Sequence, residues 1–161
     1  MPSDQPLAPI PEHLRTITPR LVVRDGGAAI EFYREAFGAV ERSERFADPD
    51  GRLIHAEIQI GDAVVMITEE GTDGGSPVRS PESVQGAVTA IMATYWENVD
   101  AAWERALAAG AEVIFPLADQ FYGERGGRLR DPFGQQWMMS QRTEELTAEE
   151  LHRRATGYFS P

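Results

Sequence analysis

Residues 119–139 read DQFYGERGGRLRDPFGQQWMM. They run from a loop rich in aromatics and glycine (Phe121, Tyr122, Gly123) through a strand at 127–130. A turn at Asp131-Pro132-Phe133-Gly134 follows, and then a strand over 135–140 with one face expected to line a pocket. The same grammar stands earlier in the chain. A strand over 53–60 alternates, with Leu53, His55, Glu57 and Gln59 on one face and Ile54, Ala56, Ile58 and Ile60 on the other. Gly61-Asp62 then turns into a strand over 63–68. Upstream, the β-branched run over 16–24 reads as a strand. Residues 28–37 set Ala29, Phe32, Tyr33, Ala36 and Phe37 on one helical stripe, closed by Gly38, and a strand over 39–46 follows. In the second half a strand over 89–96 leads to an Asn98-capped helix carrying Val99, Ala102, Trp103, Ala106 and Leu107, and then to a strand over 112–116.

Gly38-Ala39 is echoed by Gly110-Ala111 72 residues later, and Gly61 by Gly134 73 residues later. Two nearly constant offsets predict a duplicated βαβββ unit. The expected class is α+β, with two βαβββ modules pairing into a curved mixed sheet around a concave cavity. The expected division is an extended, proline-rich arm over 1–15, a first module over 16–68 and a Gly/Ser/Pro-rich linker over 69–87. A second module over 88–142 precedes a C-terminal helix and tail over 143–161, where Thr147 and Glu150 fit a capping box. Modules that meet around a cavity make it the natural place for a small-molecule ligand.

Composition removes several alternatives. The net charge of -11 opposes polyanions and anionic membranes, so neither nucleic acid nor a membrane is an expected partner. No cysteine is present, which excludes disulfides, thiolate metal sites and a Cys nucleophile. No apolar run approaches the roughly 20 residues that span a bilayer, and the first 15 residues do not read as a secretory signal. A cytoplasmic protein is expected. Gly74-Gly75 and Gly126-Gly127 lack the strand-to-helix setting of a phosphate loop, and no nucleophile elbow accompanies His55.

Five pieces carry a family resemblance: Asp25, FYREAFGA (32–39), IHAEIQIGDAVVMI (54–67), DQFYGERGGRLRDPFGQQW (119–137) and ELTAEEL (145–151). In this order and spacing, over 17–154, the chain resembles the vicinal oxygen chelate superfamily, also called the glyoxalase/bleomycin-resistance family, in its PhnB-like branch. Many members hold a divalent metal with four His, Glu or Gln side chains, and the metal polarises substrate oxygens. Carried onto this chain, those positions fall at Thr18, Val65 or Met66, Ile91 and Met138. None is a carboxylate or imidazole, and thioether and hydroxyl groups are poor ligands for such ions. The resemblance therefore implies no metal and no other cofactor, and argues against glyoxalase I or extradiol dioxygenase activity.

What remains is a binding protein that sequesters a small, partly aromatic molecule, as bleomycin-resistance members do, often as homodimers. The candidate ligand-binding residues are Arg20, Gln59, Tyr95, Phe121, Tyr122, Gln136 and Met138, with Trp137 turned toward the helices. Arg20 faces either a ligand oxyanion or an ion pair with Glu57. The alternative is a lyase, isomerase or dioxygenase-like enzyme using His55 and Glu57 as an acid–base pair, or an unforeseen metal. A bland reading of that pair is a hydrogen-bonded polar wall.

Overall fold

The two stretches of strict alternation, over 53–60 and beyond Gly61, form an antiparallel hairpin, and the two amphipathic stripes form the helices that cover the sheets. A computed structural model describes residues 7–75 and 77–159. Its order is β1 (Arg20–Val23), α1 (Gly26–Phe37), β2 (Val40–Glu41), β3 (Phe46–Ala47), β4 (Leu53–Ile60) and β5 (Ala63–Glu69). A short 3-10 turn at Pro81–Val84 interrupts the linker. Then come β6 (Met92–Tyr95), α2 (Val99–Ala109), β7 (Glu112–Asp119), β8 (Glu124–Arg130), β9 (Gln136–Arg142) and α3 (Ala148–Phe159). The first sheet runs β1-β5-β4-β2, with β3 also on β4, and the second runs β6-β9-β8-β7. In each, the first strand lies parallel to the last and the others are antiparallel. This repeated order is the α+β duplication that the glycine offsets predict.

Capping chemistry sets the helices. Asp25 accepts the Ala28 N–H at 2.9 Å, so α1 begins at Gly26, two residues before the apolar stripe suggests. Gly26 permits a close approach, since a Cβ there would lie 2.4 Å from the Leu53 side chain. Asn98 accepts the Ala101 N–H at 3.0 Å, and Gly38 and Gly110 close the two helices in the left-handed region. Thr147 Oγ1 accepts the Glu150 N–H at 3.2 Å, but the Glu150 carboxylate turns to Arg153 and Arg154, so the expected capping box is one-sided.

Three details differ from the alternation pattern. Leu53 is 5% exposed and belongs to the core rather than sharing the face of His55 and Glu57, because the β3–β4 register shifts between Phe46 and Ala47. The strand expected over 39–46 breaks into β2 and β3: Arg42 donates its N–H to Glu57 O, while Ser43 Oγ accepts the Glu57 N–H in place of a backbone carbonyl. β7 continues past Pro116 to Asp119, which its edge position allows, and its register shifts on either side of Phe115.

Both helices lie on one side, and the modules share a single core. Phe37 sits 4.6 Å from Trp137 and 6.0 Å from Trp96, and Tyr33 sits 5.4 Å from Trp137. Arg105 Nε donates to Ala36 O at 2.8 Å across the α1–α2 contact. Each large ring buried here contributes about 1.5–3 kcal/mol. The sheet faces turned away from the helices stay open, leaving Val40, Phe46, Tyr95 and Phe115 exposed. Among the described residues no helix is long and apolar enough to cross a membrane.

Candidate functional site

The register of β9 is fixed by the turn before it. Asp131 Oδ1 accepts the N–H groups of Phe133 and Gln135, both at 2.9 Å. Its Oδ2 accepts the Tyr33 hydroxyl at 2.7 Å and the Trp137 indole N–H at 2.9 Å. Asp131 is 3% exposed, and burial pushes its carboxyl above the ordinary aspartate range while those four donors pull it back. One side chain thus stitches the turn, β9 and α1 together. With Trp137 and Met139 drawn into the core, strand alternation sends Met138 and Ser140 to the open face.

On that face lies a pocket of about 140 Å³, lined chiefly by Phe115, Gln120, Tyr122, Arg128, Met138 and Ser140. β8 pairs Arg128 with Met138 and Gly126 with Ser140. The Arg128 guanidinium lies over the Phe115 ring at 5.2 Å. Gly126 leaves room beside the serine: a Cβ there would stand 2.9 Å from Ser140 Oγ. Both Arg128 Nε and Ser140 Oγ are buried without a hydrogen-bond partner among the described residues.

On the first module's open face the arm reaches back to Glu57. His13, from the arm, places Nε2 2.7 Å from Glu57 Oε2, and His55 Nε2 lies 3.2 Å from Glu57 Oε1. Glu57 is 9% exposed, so this His–Glu–His chain runs partly out of water. The ion pair between Arg20 and Glu57 does not form. Arg20 Nη2 instead donates to Ile54 O at 3.0 Å and Thr68 Oγ1 at 3.3 Å, because the register places Arg20 opposite Met66 on β5 while His13 takes the carboxylate. Gln59 is held by Arg42 and by Gly61 O.

Donor chemistry at the positions that the resemblance assigns to a metal does not fit a divalent ion. Of the two residues expected for the second position, Val65 faces the core opposite Ile58, and Met66 stands opposite Glu57. The set is therefore Thr18, Met66, Ile91 and Met138, with no charged donor. Among the described residues no three His, Asp or Glu side chains converge as a metal site, the His13–Glu57–His55 chain included.

The remaining expected residues are scattered. Tyr122 and Met138 line the second-module pocket. Tyr95 shares its face, but is 63% exposed and donates its hydroxyl to Glu124 at 2.8 Å. Phe121 packs on the tail, 4.8 Å from Tyr158. Gln136 is half-buried opposite Arg130, whereas its neighbour Gln135 bridges the modules by donating to Val22 O at 2.9 Å. Arg20 and Gln135 border a separate cleft of about 560 Å³ along the seam between the modules. Arg128, Phe115 and Ser140 escape the sequence reading. Arg128 was legible, since core-facing Leu129 beside it fixes the parity of β8. Phe115 was not, because the register shifts around it break the alternation.

Residues 12–139 match the Glyoxalase/Bleomycin resistance protein/Dioxygenase superfamily. An uncharacterized protein of Mycobacterium tuberculosis is 41% identical over 137 residues, covering 84% of this chain and 79% of its own. One of Arabidopsis thaliana is 29% identical over 131 residues, covering 76% of this chain and 75% of its own. TioX from Micromonospora has a similar fold, with a TM-score of 0.61 at 23% identity over 78% of this chain and 97% of that one. A PhnB protein from Bacillus cereus reaches a TM-score of 0.58 at 19% identity, over 79% of this chain and 99% of its own. The duplicated βαβββ architecture, the Asp131 turn and these matches agree, and the chain belongs to the glyoxalase/bleomycin resistance protein/dioxygenase superfamily.

Proposed function

We propose that this member of the superfamily binds and sequesters a small, partly aromatic molecule without a metal, on the open face of the second module. The observation carrying this reading is that Met138, which the resemblance sets where metalloenzymes of the family carry a ligand, sits in a pocket walled by Phe115 and Tyr122. A thioether among rings offers polarisable, adaptable packing to an aromatic guest and little to a hard cation. The exposed Val40, Phe46, Tyr95 and Phe115 support a homodimer that covers these faces and completes the pocket. A role in antibiotic resistance and a cytoplasmic location go with this reading.

The test combines metal analysis with thermal shift. Protein purified from metal-supplemented medium is expected to hold far less than one equivalent of nickel, zinc, iron or manganese; a stoichiometric ion overturns the proposal. Among a panel of aromatic natural products, a ligand at 100 times its Kd is expected to add about 2.7 kcal/mol. Failure of every compound to raise Tm removes the support for sequestration.

The His13–Glu57–His55 chain favours a second reading, a lyase or isomerase in which Glu57 moves a proton between substrate and imidazole. The two readings separate on Glu57→Gln, which abolishes turnover in an enzyme and leaves ligand affinity at the second module unchanged in a sequestering protein.

A further inference from the structure

The chain carries 26 acidic residues against 15 basic ones, and among the described residues seven arginines, including both arginine neighbours of Arg128 on its strand, form ion pairs with that excess. On β8, Arg125 meets Asp100 at 2.7 Å and Asp119 at 3.2 Å, and Arg130 lies 3.9 Å from Glu112. Arg128, between them, has no carboxylate in ion-pair reach among the described residues. The acidic side chain that shares its face on β8, Glu124, is engaged by the Tyr95 hydroxyl. Arg128 is placed instead over the Phe115 ring, inside the pocket, with Nε buried and unpartnered among the described residues. Ser140 lines the same pocket at 1% exposure, and its Oγ also has no hydrogen-bond partner among the described residues.

Two unsatisfied groups in one cavity are unusual, because buried polar atoms nearly always find a partner. Here one is an N–H of a cation and the other a hydroxyl able to donate. Both would be satisfied by an acceptor-rich anion, and neither needs another donor. A planar guanidinium matches a carboxylate or phosphate through parallel hydrogen bonds, and Phe115 already holds its plane. Gly126 keeps open the space beside the hydroxyl that any side chain would fill. The net charge of -11 repels anions at long range, so a local cation that has escaped neutralisation is the feature that selects one.

We propose that the second-module pocket receives the oxyanion end of an aromatic ligand, with Arg128 and Ser140 donating to its oxygens and Phe115 and Tyr122 flanking its ring. This rests on the binding reading above and narrows the ligand from an aromatic molecule to an aromatic acid.

Benzoate, benzamide and benzylammonium differ in charge on the same ring and serve as probes, each titrated into the full chain and followed by two-dimensional amide NMR. Benzoate is expected to shift Gly126, Arg128, Met138 and Ser140, to bind about 10-fold more tightly than benzamide, and to outcompete benzylammonium. Arg128→Met is expected to lower benzoate affinity about 10-fold and leave benzamide unchanged, and Arg128→Lys to fall between, since it keeps the charge and loses the fork. Ser140→Ala is expected to weaken benzoate severalfold while the ligand-free protein keeps or raises its Tm, because the change removes an unsatisfied hydroxyl. That last pair of readouts separates a ligand-facing serine from a merely structural one.

Equal affinity for benzoate and benzamide, or no effect of Arg128→Met on benzoate, overturns the anion proposal and leaves aromatic binding standing. Silence of the pocket resonances toward all three probes overturns the anion proposal and takes the support from aromatic binding here as well.

Discussion

Asp131 is where one residue decides most. Its two oxygens take four donors, two from its own turn and two from rings on α1 and β9, so it sets the facing of every residue on β9. The Asp-Pro-Phe-Gly signature is legible as a turn in sequence. Its link to Tyr33, 98 residues away, is not, because periodicity carries no information about which hydroxyl meets which carboxylate. Burial pushes the Tyr33 hydroxyl well above the ordinary tyrosine range, and the neighbouring Asp131 charge adds to this. The folded state therefore holds that proton more tightly than the unfolded chain does. The resulting stabilisation is whole below about pH 10, the unfolded value, and is lost as pH rises through the higher folded-state value. Tyr33→Phe is expected to cost about 1–3 kcal/mol in urea melts at neutral pH, since Asp131 loses a donor, and to flatten the decline above pH 10. An alkaline limb as steep as in the parent chain would show that Tyr33 is not the titrating group. Asp131 acts in the opposite part of the scale. Its raised value adds stability that is whole below about pH 3.9 and is lost as pH rises through the folded-state value, so four hydrogen bonds only partly offset its burial at neutral pH.

At the scale of elements, the helices and central strands follow from local pattern and the edges do not. α1 and α2 have side-chain caps, left-handed glycine stops and one apolar stripe each, all of which are sequence-local. β2, β3 and β7 are shaped instead by what opposes them: Ser43 substituting for a backbone partner, and Pro116 tolerated only because β7 is an edge. β8 packs against α2 through glycine, since a Cβ on Gly127 would lie 2.7 Å from the Trp103 ring and 2.9 Å from Leu117 N. Gly127→Ala is expected to lose about 1–3 kcal/mol by overpacking and to change Trp103 emission. A neutral result would mean that β8 can move off α2 without cost, and with it the placement of Arg128. The aromatic loop divides by the same logic. Phe121 is claimed by the tail helix and Tyr122 by the pocket, a split that composition alone cannot make.

Over the whole molecule, the two modules have separate sheets but one aromatic core, with Tyr33 and Phe37 of the first lying against Trp96, Phe133 and Trp137 of the second. Neither half can keep that core alone. Urea unfolding is therefore expected as one transition, coincident by tryptophan emission and far-UV circular dichroism. Two resolved transitions would show that the modules fold independently and that the inter-module contacts are weak. The duplication, the α+β class and the two module helices are legible in the chain alone, because each is written in local periodicity or turn chemistry. That His13 returns to Glu57, that Arg20 turns away from it, and that Arg128 Nε and Ser140 Oγ share a pocket without hydrogen-bond partners among the described residues emerges only in the assembled fold. Those outcomes depend on strand register and on which of several nearby charges reaches a carboxylate first. Both are settled by packing between segments far apart in the chain, which no local pattern records.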